Sequence, residues 1–251
     1  MHWIIQKGIY KSGNYNLLVG ALSTMDIPYT VVSISSDGMD SEPEVHAEEK
    51  VYVCGALRLS KIAEIRGWYP GSFLNESFRF DLWDEQLGEE LLNHGAQTQK
   101  LGEVKLSENS SSFVRPSEDN KAFDGLVANQ EILDEFLTEQ SGSNLHDLDV
   151  IVAPLKKIYR EYRLFIVKNQ VVTGSLYKAG SKPQLSDLID EDVIGYGNRI
   201  IEKWTPAESC VIDIALTDRG LKVIEFNNIN SSGFYASNVQ RYVEAIEIAY
   251  A

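Results

Sequence analysis

Asp213, Glu225 and Asn227 carry oxygen donors in surroundings that are otherwise apolar. The run VIDIALTDRGLKVIEFNN, from Val211 to Asn228, reads as two strands around a tight turn. Asp213 lies between Ile212 and Ile214, and Glu225 between Ile224 and Phe226. Side chains alternate faces along a strand, so Glu225 and Asn227 share one face. A three-residue turn, Asp218-Arg219-Gly220 with Gly220 at positive φ, sets Asp213 opposite Glu225, Cβ atoms roughly 5 Å apart. A two-residue turn flips the parity and breaks the patch. Two carboxylates face to face repel, and a divalent cation relieves that repulsion. Hard oxygen donors suit Mg²⁺, which takes one or two carboxylates together with substrate phosphates. The alternative is a solvated sheet face, against which the apolar flanks argue.

The cations offer a complementary set. FVRPSEDNKAFDG places Arg115 at a strand end and Lys121 in the loop that follows. REYRLF places Arg163 two residues after Glu161, on the same face of a strand. Each alone reads as a surface charge. Three cations at strand ends and loops, in an acidic chain with a carboxylate patch, form a phosphate-binding signal. Neither GxxxxGK[ST] nor GxGxxG occurs, so P-loop and Rossmann nucleotide binding have no support. His2, His46, His94 and His146 are scattered without ligand spacing. Cys54 and Cys210 lie in apolar, strand-like runs and read as reduced core thiols. No side chain stands out as a nucleophile.

These residues need a scaffold, and the chain supplies one. Its 251 residues suit one large domain or two small ones. With 23 Lys and Arg against 37 Asp and Glu, the net charge is −14. Nucleic acid and anionic membranes need a basic footprint, so neither partner is expected. The apolar run in MHWIIQKGIY is too short for a signal peptide or a membrane span, which points to a soluble, cytoplasmic protein. Residues 3–5 begin a strand, NYNLLVGALSTM has helical spacing, and IPYTVVSI and KVYVCGA are strands on either side of a polar connection. LRLSKIAEIR is a helix ending before Gly67. This is the pattern of a small α/β unit.

After Gly71 the texture changes. ESFRFDLWDEQLGEELLNHGA reads as one or two helices, TQKLGEVKL, SSSFVRP and GLVAN as strands, and EILDEFLTEQSG as an amphipathic helix stopped by Gly142. Strand DVIVAP, connector LKKIYR, and strands EYRLFIVKN and VVTGSLYKA follow. LSDLIDEDVIGYGNRIIEKW is helical in parts, and a last helix runs from about Ser237 to Tyr250.

The order F-V-R-P-(x)4-K-A-F, then E-Y-R-L-F with Q-V-V after it, then V-I-D-I-A with V-I-E-F-N, resembles the ATP-grasp superfamily. The closest resemblance is to a clade marked by two arginines and a lysine and often carried by phage genomes. GWYPGSF and the segment from FDLW to LLNHGA resemble the entry to that fold. The resemblance implies an α+β ATP-grasp fold: two α+β subdomains clasping ATP, preceded by a small α/β pre-ATP-grasp domain. The domains would be 1–70 and 71–251, the latter with subdomains of about 71–149 and 150–251.

Roles follow position by position. Asp213, Glu225 and Asn227 would hold Mg²⁺ against the ATP phosphates. Arg115 would reach the phosphates, where most relatives have lysine, and Lys121 lies in the loop that covers them. Backbone groups of Ala153, Pro154 and Leu155 would meet the adenine; Lys156 and Lys157 are the alternatives for the polar contact there, where an acid is common outside the clade. Glu161 would bind the ribose, and Arg163 the transferred phosphate or an acyl phosphate. Ser231, Ser232, Gly233 and Tyr235 either approach the substrate or pack the loop. The implied activity is an ATP-dependent carboxylate–amine ligase acting through an acyl phosphate on a small molecule, amino acid or peptide. A phosphotransferase and a nucleotide-binding protein without turnover are the alternatives. Relatives commonly form dimers, so a homodimer is compatible with the resemblance.

Overall fold

The computed structural model describes residues 1–35, 40–45, 50–118, 122–140 and 144–251. Among these residues the strands form three sheets. The first is built from β1 (His2–Gln6), β2 (Tyr29–Ile34), β3 (Ser41–Glu42), β4 (Lys50–Cys54) and β5 (Tyr69–Gly71), in the order β3-β2-β1-β4-β5. Helix α1 (Ser12–Thr24) joins β1 to β2, and α2 (Leu57–Arg66) joins β4 to β5. β1 runs parallel to β2 and β4, and β4 parallel to β5. Strand alternation divides the apolar residues of β1 between two cores. Trp3 and Ile5 pack with Leu18 and Leu22 of α1. Ile4 packs on the other side with Val51, Val53 and, from α2, Leu59 and Ile62. Gly67, at φ 66°, supplies the left-handed residue that ends α2.

Helix α3 (Phe80–Leu87) leads into a four-stranded sheet of β6 (Gln97–Lys100), β7 (Ser112–Pro116), β8 (Leu126–Ala128) and β9 (Asp149–Pro154), ordered β6-β9-β7-β8. Helix α4 (Gln130–Glu139) covers one face; Asn129 caps it by accepting the Ile132 N–H. Val114, Leu133 and Val150 share the core beneath α4. Arg115 follows Val114 on β7, so it points to the opposite face.

The third sheet, β12-β11-β10-β13-β14, is antiparallel throughout. Its strands are β10 (Ile158–Val167), β11 (Gln170–Ala179), β12 (Lys182–Ser186), β13 (Cys210–Thr217) and β14 (Gly220–Asn227). Tyr162, Leu164, Ile212, Ile214 and Phe226 pack with α3 and with α5 (Glu191–Lys203). On the other face, Phe165, Val167 and Val211 pack with α6 (Val239–Tyr250) and with Trp3 and Tyr52 of the first sheet. The polar residues Glu161, Arg163, Asp213, Glu225 and Asn227 share that second face.

Several elements differ from the sequence reading. β5 and β12 are strands where none is expected. β5 contains Pro70, which lacks an N–H and is tolerated because this strand is an edge. β12, also an edge, is mostly exposed, so its sequence KPQLS has no alternation to reveal it. β10 begins at Ile158, which shortens the connector after β9 to residues 155–157. Gly142, the expected stop of α4, lies outside the described residues. No described helix is long and apolar enough to cross a membrane.

Candidate functional site

The β13–β14 hairpin brings Asp213 opposite Glu225, by a route other than a three-residue turn. Thr217 pairs with Gly220, so the turn holds only Asp218 and Arg219; Gly220 takes φ 87°. Counting back from that turn would place Ile224 opposite Asp213 and turn Glu225 away. The pairing instead slips between Ile214–Val223 and Asp213–Glu225. A bulge at Ile224 thus restores the shared face, a common use of bulges beside functional sites.

Arg163 of β10 faces Asp213 in register and grips it with two hydrogen bonds. Nε donates to Oδ1 at 2.8 Å and Nη2 to Oδ2 at 2.7 Å. Nη1 donates to the Gly233 carbonyl at 3.2 Å. Both side chains are buried, Asp213 at 2% and Arg163 at 8% exposure. Burial pushes the Asp213 carboxyl up, to about 6, against the opposing pull of the Arg163 charge and hydrogen bonds. For Arg163, burial works against the charge, but Asp213 outweighs it and holds the guanidinium above its ordinary range. Asn227 completes the patch: its Nδ2 donates to Asp213 Oδ2 and Glu225 Oε1, each at 3.2 Å. One amide touching both carboxylates means that all three groups converge on one place. A half-turn of that amide would present Oδ1 in place of Nδ2.

Arg115 reaches the same place from the four-stranded sheet. Its Nη1 donates to Glu225 Oε2 at 2.7 Å, and its guanidinium lies 5.5 Å from the Trp83 ring centroid. Its Nε and Nη2 are buried without a partner among the described residues. Buried orphan N–H groups are costly, and on a guanidinium they are best satisfied by an anion.

Glu161 shares the face of Arg163 as expected, and it is held twice. Tyr177 donates its hydroxyl to Oε2 at 2.8 Å, and Lys178 pairs with Oε1 at 2.8 Å. Adjacent strand residues normally point apart; here the β10–β11 pairing slips between Glu161–Lys178 and Tyr162–Leu176, which leaves Tyr177 as the extra residue. Tyr177 stacks on Tyr235, centroids 4.7 Å apart and planes at 11°. Arg163 lies 5.0 Å from the Tyr235 ring. Tyr235 adopts a φ of 52°, sparsely populated for an aromatic residue. Ser232 is buried and donates to the Asn228 carbonyl at 2.8 Å, so much of the 231–235 segment packs as structure.

Ala153 and Pro154 close β9, and residues 155–157 carry the chain into β10. They therefore connect the sheet bearing Arg115 to the strand bearing Glu161 and Arg163. Ala153 is buried, Leu155 is half exposed, and Lys156 and Lys157 are exposed. Lys157 lies 5.1 Å from the Tyr159 ring. Lys121 lies outside the described residues. Trp83, Tyr177 and Lys178 were not among the expected site residues. Tyr177 and Lys178 sit in a strand whose register slip no local pattern reveals, and Trp83 lay in a run read only as helical.

Among the described residues no three His, Cys, Asp or Glu side chains group as a metal cage. Two carboxylates and an amide make a partial set of hard oxygen donors. That suits an ion that keeps water or phosphate among its ligands, as Mg²⁺ does. His2 hydrogen-bonds Thr30 and His94 pairs with Asp84, so neither belongs to the patch. His46 lies outside the described residues. Cys54 and Cys210 are buried and unbridged, as the sequence suggested.

A model of an ATP-grasp domain, that of family 2 in the clade named for two arginines and a lysine, matches residues 95–245. By structure the chain is similar to D-alanine–D-alanine ligase from Bacillus anthracis complexed with ATP. The TM-score is 0.63 at 11% identity, covering 99% of this chain and 98% of that one. It is similar to a RimK domain ATP-grasp protein from Sphaerobacter thermophilus, with TM-score 0.59, 11% identity and 92% of each chain covered. It is also similar to the ATP-grasp ligase PsnB complexed with a minimal precursor, with TM-score 0.56, 12% identity and 98% of each chain covered. No curated protein sequence matches it. At such identities the likeness is one of fold, and the fold is the α+β ATP-grasp fold.

Proposed function

From the premise that this chain belongs to the ATP-grasp domain family, in family 2 of the two-arginine, one-lysine clade, we propose that it is a Mg²⁺- and ATP-dependent carboxylate–amine ligase. One observation carries the reading: two buried donor nitrogens of Arg115, without a partner among the described residues, lie on the same guanidinium that holds a carboxylate of the Asp213–Glu225–Asn227 patch. A site with spare buried cation donors beside clustered oxygen donors suits a metal-bound polyphosphate.

In this reading Asp213, Glu225 and Asn227 hold Mg²⁺, while Arg115 and Lys121 bind phosphate oxygens. The backbone of Ala153, Pro154 and Leu155 receives the adenine edge, and Glu161 the ribose hydroxyls. Arg163 neutralises charge on the transferred phosphoryl group. Bound Mg²⁺ would supply charge neutralisation across the phosphates. A substrate carboxylate oxygen attacks the terminal phosphorus and ADP leaves; an amine then attacks the acyl carbon and phosphate leaves. Such transfer needs positioning and electrostatic stabilisation rather than a protein nucleophile. That agrees with the described residues of the site, among which no side chain stands out as a nucleophile. An amino acid or peptide substrate is supported by the fold relatives, one named as a D-alanine–D-alanine ligase and one complexed with a precursor.

The test is calorimetric titration of Mg²⁺-ATP into the wild type and Glu225→Gln. Binding should require Mg²⁺ and weaken roughly tenfold or more in the variant, since a lost ligand costs at least what a lost supporting contact does. A folded wild-type protein that binds no Mg²⁺-ATP would sink the proposal. Once binding is established, ADP with free phosphate as products marks a ligase, whereas a phosphorylated acceptor marks a phosphotransferase.

A further inference from the structure

Both carboxylates assigned to the metal are already ion-paired, and their partners are the two arginines assigned to phosphate. Arg163 spans Asp213 with two hydrogen bonds, and Arg115 holds Glu225 at 2.7 Å. The four charges cancel in pairs. The remaining acid of the site, Glu161, is matched separately by Lys178 at 2.8 Å, so it stands outside this arrangement. Asn227 ties the two pairs together by donating to both carboxylates. Each arginine is at least nine-tenths buried, so neither can hand its charge to water.

We infer that Arg115 and Arg163 are placeholders for the metal, so that metal and nucleotide enter only together, by an exchange of partners. The inference deepens the proposed Mg²⁺-ATP site and rests on it. If the carboxylates turned to a metal with no phosphate present, two buried guanidinium groups would lose their counterions beside a divalent cation. If the arginines turned to phosphate with no metal present, Asp213 and Glu225 would lose theirs beside a polyanion. Either half-exchange strands buried charge, which is strongly unfavourable. In the full exchange every charge trades one opposite partner for another. The orphan Nε and Nη2 of Arg115 show where the exchange can begin: this guanidinium can engage an anion before it releases Glu225. Glu225 is the more exposed carboxylate, its side chain at 28% against 3% for Asp213, so its pair is the one that opens first. The inferred consequence is selectivity for the metal–nucleotide complex over either component, set by Arg115 and Arg163.

The test uses the full chain and three ligands: Mn²⁺ alone, read by electron paramagnetic resonance; ATP in EDTA; and Mg²⁺-ATP, the last two by calorimetry. Coupling should be large, with ATP in EDTA binding on the order of a hundredfold more weakly than Mg²⁺-ATP. The decisive variant is Arg115→Met, which removes a placeholder and frees Glu225. It should tighten Mn²⁺ alone, by roughly tenfold, while weakening Mg²⁺-ATP. Damage to the structure would weaken both, so the opposite signs identify the role. Wild-type coupling of threefold or less, or a folded Arg115→Met with unchanged or weaker Mn²⁺ binding, overturns the inference. If Arg115→Met does not fold, wild-type coupling alone decides. If the wild type binds no Mg²⁺-ATP, the proposed function fails, while the Mn²⁺ comparison still decides whether Arg115 holds a metal ligand closed.

Discussion

At Asp213 two forces of opposite sign meet. Burial, joined by the charges of Glu225 and Glu161, favours the neutral carboxyl, and the Arg163 fork favours the charged one; the carboxyl rises to about 6. Because the folded pKa lies above the ordinary carboxylate value of about 4, the folded protein takes up this proton more readily than the unfolded chain does. This group's contribution to stability therefore grows as pH falls from about 6 toward about 4. Metal binding runs the other way, since a protonated carboxyl is a poor ligand. Mg²⁺-ATP affinity should fall as pH drops through about 6, and Asp213→Asn, already weak, should lose that dependence. Titrations at about pH 7 and about pH 5 check it; an affinity that rises on acidification would contradict the assignment of Asp213. At this scale the sequence was informative, because an acid between two isoleucines in a strand announces itself. Arg115, Glu161 and Arg163 were also legible as types. Their partners were not: that Arg163 meets Asp213 depends on strands far apart in the chain, and that Lys178 meets Glu161 depends on a slip in the register of neighbouring strands.

Between residues and fold, the site depends on departures from regular structure. The bulge at Ile224 returns Glu225 to the face of Asp213, and the slip around Tyr177 lets two consecutive residues reach Glu161. Period-two patterning tells which residues share a face, yet nothing local says where a ladder slips by one residue. That is why the hairpin and the facing of Asp213 and Glu225 were legible, while the two-residue turn and the bulge that compensates for it were not. A third departure is the turn after β14, where Asn230 is fully buried. Its side-chain amide donates to the carbonyls of Val53 and Gly71, and its oxygen accepts from the Phe73 N–H and the Ser72 hydroxyl. Its own carbonyl accepts from the Gly55 N–H. One side chain thus fastens the ends of β4 and β5 to the segment three residues beyond Asn227. Asn230→Ala should cost about 2–4 kcal/mol, because several buried groups lose their partners at once. Urea unfolding measures this; a loss below about 0.5 kcal/mol would show that the network is replaced at no cost, for instance by water.

For the molecule as a whole, the distribution of cores matters more than the number of sheets. Trp3 and Tyr52 of the first sheet, Phe165 and Val211 of the third, and Tyr242, Val243 and Ile246 of α6 belong to one continuous core. Tyr52 and Tyr242 also share a 2.6 Å hydrogen bond across it. These two sheets can open only by exposing a common interior. The four-stranded sheet is attached differently. Its own core of Val114, Leu133 and Val150 lies under α4. Among the described residues its links to the rest include Ile151, the Phe80 N–H to Ser117 carbonyl bond, the Arg79–Glu118 bridge, and Arg115 against Glu225 and Trp83. The sequence revealed each strand of this sheet but not its looser attachment, since cohesion between sheets is a sum of contacts that no local pattern encodes. Local stability follows buried contact, so hydrogen exchange should find smaller opening free energies for β7 and β9 than for β1, β10 and β13. Mg²⁺-ATP should then slow exchange most in β7, where Arg115 gains partners, and in residues 153–157, which join this sheet to β10. Exchange measured at peptide resolution with and without Mg²⁺-ATP separates the cases. Equal opening energies in all three sheets would mean that the attachment is as strong as the shared core. Protection confined to β1 and β4 would place the ligand at the first sheet and away from the carboxylate patch.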